Sequence, residues 1–202
     1  MKQNIKIGKD FSVVILAAGK SERIGFPKLS LKFDECFTFL ECIVNEYIKS
    51  KCAEIAIVVN EKGKSYLVNN KITFPACVKV VMNEHPEWHR FYSLKLGVKS
   101  LIENLPVFIH NVDNPFVNQE ILNELLLNRE KADYLIPECK GRGGHPVLIS
   151  DNIVHNIGAI EENKVHLKEF LNQYTKLKIP VKDDKVLVNI NTLDEYMRYF
   201  NS

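Results

Sequence analysis

The sequence predicts an α/β fold of three layers, α/β/α, with helices on both faces of a mainly parallel, mixed sheet. Three observations carry that prediction. Short apolar runs alternate with helix-patterned segments from residue 12 to residue 199, as strand–helix–strand crossovers do. Residues 53–59, AEIAIVV, are almost continuously apolar, as a parallel strand covered on both faces must be. Two stretches of small and charged residues, 18–28 and 113–116, follow directly on such runs, and open parallel sheets place their sites there.

Residues 1–10 are polar and read as a frayed lead-in. The first strand spans 12–17, and 28–37 is irregular. A helix runs from 38 to 50. Thr38 with Glu41 three residues on forms a capping box, and Leu40, Ile43, Val44 and Tyr47 fall on one face as core packing. The second strand is 53–59, and the polar stretch 60–70, with Gly63, forms a short helix. Residues 78–82 are a third strand, 83–88 a loop, and 93–103 a helix entered at Ser93 as N-cap. The fourth strand, 106–112 (PVFIHNV), runs into Asp113-Asn114-Pro115-Phe116. Asn118 caps a helix to 128, 132–137 is a fifth strand, 140–145 a glycine-rich loop and 146–149 a further short strand. Residues 151–158 and 164–174 are helical. The alternation around Lys178 is weak, 185–190 (KVLVNI) is strand-like, and Thr192 caps a last helix to 199.

A chain of 202 residues suits one α/β domain. A net charge of +2 argues against a general polyanion binder, so nucleic acid is not an expected partner. The useful positive charge is local, in the first loop and at Lys140-Gly141-Arg142. No apolar run approaches the ~18 residues of a membrane span, and MKQNIKIGKDF lacks a signal peptide's apolar core. Cys36, Cys42, Cys52, Cys77 and Cys139 are odd in number and contain no C-x-x-C pair. They read as reduced thiols of a cytoplasmic protein rather than a zinc site.

The richest stretch is Val13 to Leu29, VVILAAGKSERIGFPKL. A buried strand ends in Ala17-Ala18-Gly19, and Lys20, Arg23 and Lys28 follow, with Gly25 and Pro27 between them. Small residues let the backbone approach a ligand, its N–H groups meet phosphate oxygens, and Arg and Lys neutralise them. The spacing is neither G-x-x-x-x-G-K-[ST] nor G-x-G-x-x-G. The stretch resembles L-A-A-G-x-S-x-R-x-G-x-P-K, the opening signature of nucleotidyltransferases with the GT-A-like, nucleotide-diphospho-sugar-transferase fold. Leu16, Ala17, Ala18, Gly19, Ser21, Arg23, Gly25, Pro27 and Lys28 match it.

Asp113 ends an apolar strand and is followed by Asn-Pro. On spacing alone it is equally a Mg²⁺ ligand, a hard oxygen donor sharing the ion with substrate phosphates, or an Asp that opens a turn. The resemblance favours the first, because the family has D-x-P-F here and Asp113-Asn114-Pro115-Phe116 matches. Residues 141–147, GRGGHPV, are similar to the G-R-x-G-H-P-V segment of the branch with molybdopterin cytidylyl- and guanylyltransferases. As residues alone they read as a mobile hairpin or as a place where Arg142 and His145 meet an anion. Residues 83–97 look like the family's N-P-x-W…S-L-x-x-G segment near the base and ribose, with Asn83, Trp88, Ser93, Leu94 and Gly97 corresponding. Relatives usually carry glycine shortly after the Trp, where this chain has His89-Arg90. His85 and His89 are four apart, but Pro86 breaks the helix that would converge them on a metal. Residues 188–192, VNINT, stand where relatives often have D-I-D-T-P and use a carboxylate as a second metal ligand. Here Asn189 and Asn191 replace both Asp, and Leu193 replaces the Pro.

The resemblance covers Val13 to about Tyr196 and implies one nucleotidyltransferase domain, 1–202. It implies Mg²⁺-dependent transfer of NMP from an NTP, CTP or GTP favoured, to a small anionic acceptor, with release of pyrophosphate. Nucleotide-binding residues would be Leu16, Ala17, Ala18, Gly19, Ser21, Arg23, Lys28, Asn83, Ser93 and Asp113. Arg23, Lys28 and Asp113 would be catalytic, with Lys28 stabilising the pentavalent α-phosphate. Asp113, Asn189 and Asn191 would hold the metal, and Arg142, Gly144 and His145 the acceptor.

Overall fold

The structure, a computed structural model, describes residues 10–200. The lead-in expected at 1–10 lies, but for Asp10, outside the described residues. Eight strands form one sheet in the order β3-β2-β1-β4-β7-β5-β6, with β8 on the other edge of β5. These are β1 (Ser12–Ala17), β2 (Ile55–Val59), β3 (Val78–Met82), β4 (Val107–Asn111), β5 (Tyr134–Cys139), β6 (Arg142–Gly143), β7 (Val147–Ile149) and β8 (Lys176–Pro180). β1 pairs in parallel with β2 and with β4, and β2 with β3. The chain thus leaves β1 towards one edge and returns to its other side at β4. That reversal of strand order opens a crevice at the carboxyl ends of β1 and β4. β7 runs antiparallel to both β4 and β5, while β8 is parallel to β5.

Helices cover both faces. On one lie α1 (Phe39–Lys49), α2 (Glu61–Asn69), α4 (Gln119–Leu127) and α7 (Leu193–Phe200). On the other lie α3 (His89–Ser100), α5 (Asp151–Ala159) and α6 (Leu167–Leu171). Strand side chains alternate between the two cores: Val13 and Ile15 of β1 join the first, Val14 the second. The expected capping box of α1 is present, Thr38 and Glu41 each accepting from the other's backbone. A Cβ at Gly97 of α3 would collide with Val14, so α3 lies almost on β1. No helix among the described residues is long and apolar enough to cross a membrane.

Four expectations need correction. α3 begins at His89, so Ser93 lies inside the helix and not at its N-cap. The helix expected at 164–174 is only Leu167–Leu171, and the fifth strand lies two residues later than expected. The last strand is Lys176–Pro180, where Ile179 is buried between exposed Lys176 and Pro180. Residues 185–190 form no strand. A 3-10 turn at Asp184–Leu187, with Val186 fully buried, leads into extended chain whose Ile190 is fully buried too. Their apolar character reflects burial under the crevice rather than a ladder.

Candidate active site

The crevice is a cleft of about 530 Å³ lined by the loop after β1, the start of α3, the end of β4 and Asn191. Its first wall is residues 17–28. Ala17 and Ala18 are buried, and nothing stands within 4 Å of where a Gly19 Cβ would be. A ligand can therefore reach this backbone. Asn60, the N-cap of α2, ties the loop down: its Nδ2 donates to the Ala18 and Gly19 carbonyls, both at 3.1 Å. Farther along, Gly25 takes a positive φ of 84°, and the amides of Ile24 and Gly25 donate to the Ser21 carbonyl at 3.1 and 3.0 Å. Lys20, Arg23 and Lys28 all line the cleft.

Opposite stands Asp113, delivered by β4. Lys28 Nζ lies 3.2 Å from Asp113 Oδ2 and 2.7 Å from Asn191 Oδ1. Arg23 Nη2 donates to the same Asn191 oxygen at 3.4 Å. Asp113 Oδ1 is buried with no hydrogen-bond partner among the described residues. Three distant segments thus converge on one ammonium group.

Asn114 holds them in register. Its Nδ2 donates to the carbonyls of Lys185, Val186 and Val188 at 3.3, 3.2 and 2.5 Å, and the Ile190 amide donates to the Asp113 carbonyl at 2.7 Å. Beneath, buried His110 contacts the Asn114 carbonyl through Nε2 at 2.7 Å and the Tyr47 hydroxyl through Nδ1 at 2.9 Å. A carbonyl can only accept, so Nε2 carries the proton and Nδ1 accepts from Tyr47. Burial pushes the His110 pKa down to about 4, which keeps it neutral.

A family model described as the MobA-like NTP transferase domain matches residues 13–177. The chain belongs to that family. It is a nucleotidyltransferase. Among solved structures, Rv0371c from Mycobacterium tuberculosis superposes with a TM-score of 0.78 at 19% identity, covering 96% of this chain and 99% of that one. Its complex with manganese gives 0.76 at 16% identity, with 96% and 99% covered. A nucleotidyl transferase from Methanothermobacter gives 0.75 at 19%, with 96% and 97% covered. Molybdopterin-guanine dinucleotide biosynthesis protein A from Archaeoglobus fulgidus gives 0.68 at 19%, with 94% and 97% covered. At these identities the likeness is one of fold. No curated protein matches the chain in sequence.

In this MobA-like domain the other candidate residues divide. Ser93 lines the cleft, whereas Asn83 is fully buried behind it and donates from Nδ2 to Ser93 Oγ at 2.8 Å. Trp88 does not line the cleft; it stacks on His85 with centroids 4.0 Å apart. His89, at φ 67°, takes a backbone conformation that favours glycine and stacks on His166 at 5.8 Å. His85 and His89 therefore face different rings. Arg90 also lines the cleft, close enough to Asp113 and His145 for their charges to interact. The signal for it was the glycine position that His89-Arg90 occupies.

His145 reaches the cleft region because β7 runs antiparallel to β4, which sets its start beside the end of β4. Asn111 Nδ2 donates to His145 Nε2 at 3.3 Å, leaving Nδ1 buried and without a partner among the described residues. Burial, aided by the charge of Arg90, pushes its pKa down to about 4. It is therefore neutral, and with Nε2 spent on Asn111 and Nδ1 out of reach of solvent it lies behind the cleft, so the acceptor contact expected of it is not formed by this geometry. Arg142, its expected companion, lies elsewhere: it is exposed and lines a separate depression together with Asn189. Gly144 meets no ligand space, since a Cβ there would sit 2.5 Å from the Val186 carbonyl oxygen. Of the three expected metal ligands, only Asp113 and Asn191 converge. Neither Asn111, read as part of the fourth strand, nor Asn114, the variable position of the D-x-P-F match, has a sequence pattern that gives it a role of its own.

Proposed function

We propose that the protein moves an NMP from an NTP, GTP or CTP favoured, to a phosphate-bearing acceptor. An acceptor phosphate oxygen attacks the α-phosphorus in line, the bond to the β-phosphate oxygen breaks, and pyrophosphate leaves with the electron pair. The observation that carries this reading is the convergence of Lys28, Asp113 and Asn191 in one cleft beside a backbone that a ligand can approach. Arg23 and Lys20 neutralise the leaving phosphates, and Lys28 follows the charge that builds on the α-phosphate. Such charge-assisted bonds are each worth about 1.5–3 kcal/mol. The residues fit a divalent ion: Asp113 Oδ1 is buried and without a partner among the described residues, and Asn191 offers an amide oxygen. Asp113 and Asn191 would hold Mg²⁺, which would neutralise phosphate charge there. We place the whole chain, 1–202, in this one catalytic domain and, from its free cysteines, in the cytoplasm.

The acceptor is a molybdopterin-like phosphate by family, with a sugar phosphate or alcohol phosphate as the alternative. A second reading is a nucleotide-binding protein without turnover. Asn189 and Asn191, which stand where relatives often have Asp and supply no negative charge, favour it. A thermal-shift panel of CTP, GTP, ATP and UTP with and without Mg²⁺, followed by pyrophosphate release over acceptor phosphates, separates the two. A nucleotide at a hundred times its Kd adds about 2.7 kcal/mol, or roughly 5–10 °C. A shift with pyrophosphate release supports the enzyme, a shift without release with any acceptor supports the binder, and no shift with any nucleotide sinks both.

A further inference from the structure

Beside the cleft lies a second depression of about 500 Å³, between the β5–β6 turn, residues 184–191 and α7. The two cavities share a single residue, Asn191. A molecule lying in the depression therefore borders the point where Lys28, Asp113 and Asn191 meet.

The charges lining it do not cancel. Lys140 is paired with Asp184 at 2.9 Å. Glu195 spends its carboxylate on the amides of Asn191 and Thr192, at 2.7 and 3.0 Å, and those bonds hold its pKa below the usual range. Arg142 and Arg198 remain, on two different elements, neither guanidinium having a hydrogen bond or ion pair among the described residues. Arg142 is presented by a tight hairpin whose two turn residues, Lys140 and Gly141, have φ of 52° and 77°. Tyr199, 40% exposed, and Leu187 give the depression an apolar side. Guanidinium forks bind phosphate and carboxylate in two-pronged fashion.

We propose that this depression is the acceptor site and that the acceptor is a small organic molecule carrying a second anionic group, phosphate or carboxylate, besides the phosphate that attacks. The proposal rests on the nucleotidyltransferase reading above. In-line displacement requires the attacking oxygen to enter opposite the leaving pyrophosphate. Lys20 and Arg23 draw the pyrophosphate to the loop wall, so the acceptor enters past Asn191. The second anion then sits between Arg142 and Arg198. Arg198, Tyr199 and the 184–191 segment all lie beyond residues 13–177, which the family model matches. Acceptor choice is thus encoded in a part of the chain that the family-wide match does not cover.

The test uses glucose bisphosphate and glucose monophosphate as probes, titrated calorimetrically into the full chain, into Arg142→Ala and Arg198→Ala, and into Lys28→Ala as the cleft control. Both arginines are exposed, so the variants keep the fold. The bisphosphate is expected to bind at least about tenfold more tightly than the monophosphate, as two charge-assisted contacts imply. Either arginine variant should erase that advantage while retaining the thermal shift given by NTP with Mg²⁺. Equal affinity for the two probes in the wild-type chain overturns the proposal. So does an advantage that survives both arginine variants and disappears in Lys28→Ala, since both phosphates would then occupy the cleft. If the wild-type chain shows no nucleotide shift, the nucleotidyltransfer reading fails, and the probe titration still decides whether the depression binds two anions.

Discussion

The two sides of the cleft do different work. The parallel side, β1 and β4 with the loops that follow them, contributes Lys20, Arg23, Lys28 and Asp113, all charged. The C-terminal segment contributes Asn191 to the cleft, and behind it on the antiparallel side stands His145; both are neutral, and the segment is held by another neutral group, Asn114. Charged groups bind phosphate and respond to its developing charge. Neutral groups can be buried at little electrostatic cost and can fix distances. The difference suggests that the parallel side governs affinity and rate, while the other side governs geometry and which acceptor enters.

The sharpest way to break this division is Lys28→Ala. Loss of one preorganised charge at the reacting phosphate should lower turnover by about 10²–10³-fold, with circular dichroism unchanged. Turnover within a few-fold of wild type, in a pyrophosphate-release assay, would remove Lys28 from the mechanism. Next comes Asn114→Ala, which leaves three carbonyls without their shared donor. Unfolding in urea should show a loss of about 3 kcal/mol, and hydrogen exchange should quicken in residues 185–191. If that segment stays protected, Asn114 is not what holds it.

A pH series probes the neutral groups directly. His110 has a folded pKa of about 4 against an ordinary 6.5. The unfolded chain therefore binds the extra proton first, and stability falls as pH drops from about 6.5 towards 4, by about 3 kcal/mol for this group alone. In His110→Gln that fall should shrink, and an unchanged slope would assign the acid sensitivity to other groups. The smallest effect is expected of Asn191→Asp. A carboxylate there pairs with Lys28 and Arg23, so metal-free NTP should bind about tenfold more weakly, read by titration. Tighter metal-free binding would show that charge is not what separates the two sides.

Legibility follows the same line. The 13–28 loop was readable because its chemistry is contiguous: small residues and cations follow one strand. β1 begins and ends at the residues that its apolar run predicts, since sheet covered on both faces demands unbroken apolar character; β3, a half-buried edge strand, was legible from the β-branched residues of VKVVM. Residues 185–190 misled because burial beneath a site selects the same residue types as a strand. β8 was missed because only one side of an edge strand is buried, which weakens its pattern. Arg142 and His145 are only three residues apart in sequence, but the antiparallel hairpin exposes Arg142 in the second depression and turns His145 inward against Asn111. No local pattern could give Asn114's three carbonyl contacts, which depend on a segment more than seventy residues away.

The bond between Lys28 and Asn191 spans 163 residues of chain. During synthesis at about 5–20 residues per second, the loop after β1 leaves the ribosome roughly 8–30 s before the segment that meets it. Over that interval the nascent chain carries exposed lysines and arginines with neither Asn191 nor α7 in place. The pocket exists only once residue 191 has emerged, so a ligand that needs both walls cannot stabilise any shorter nascent chain.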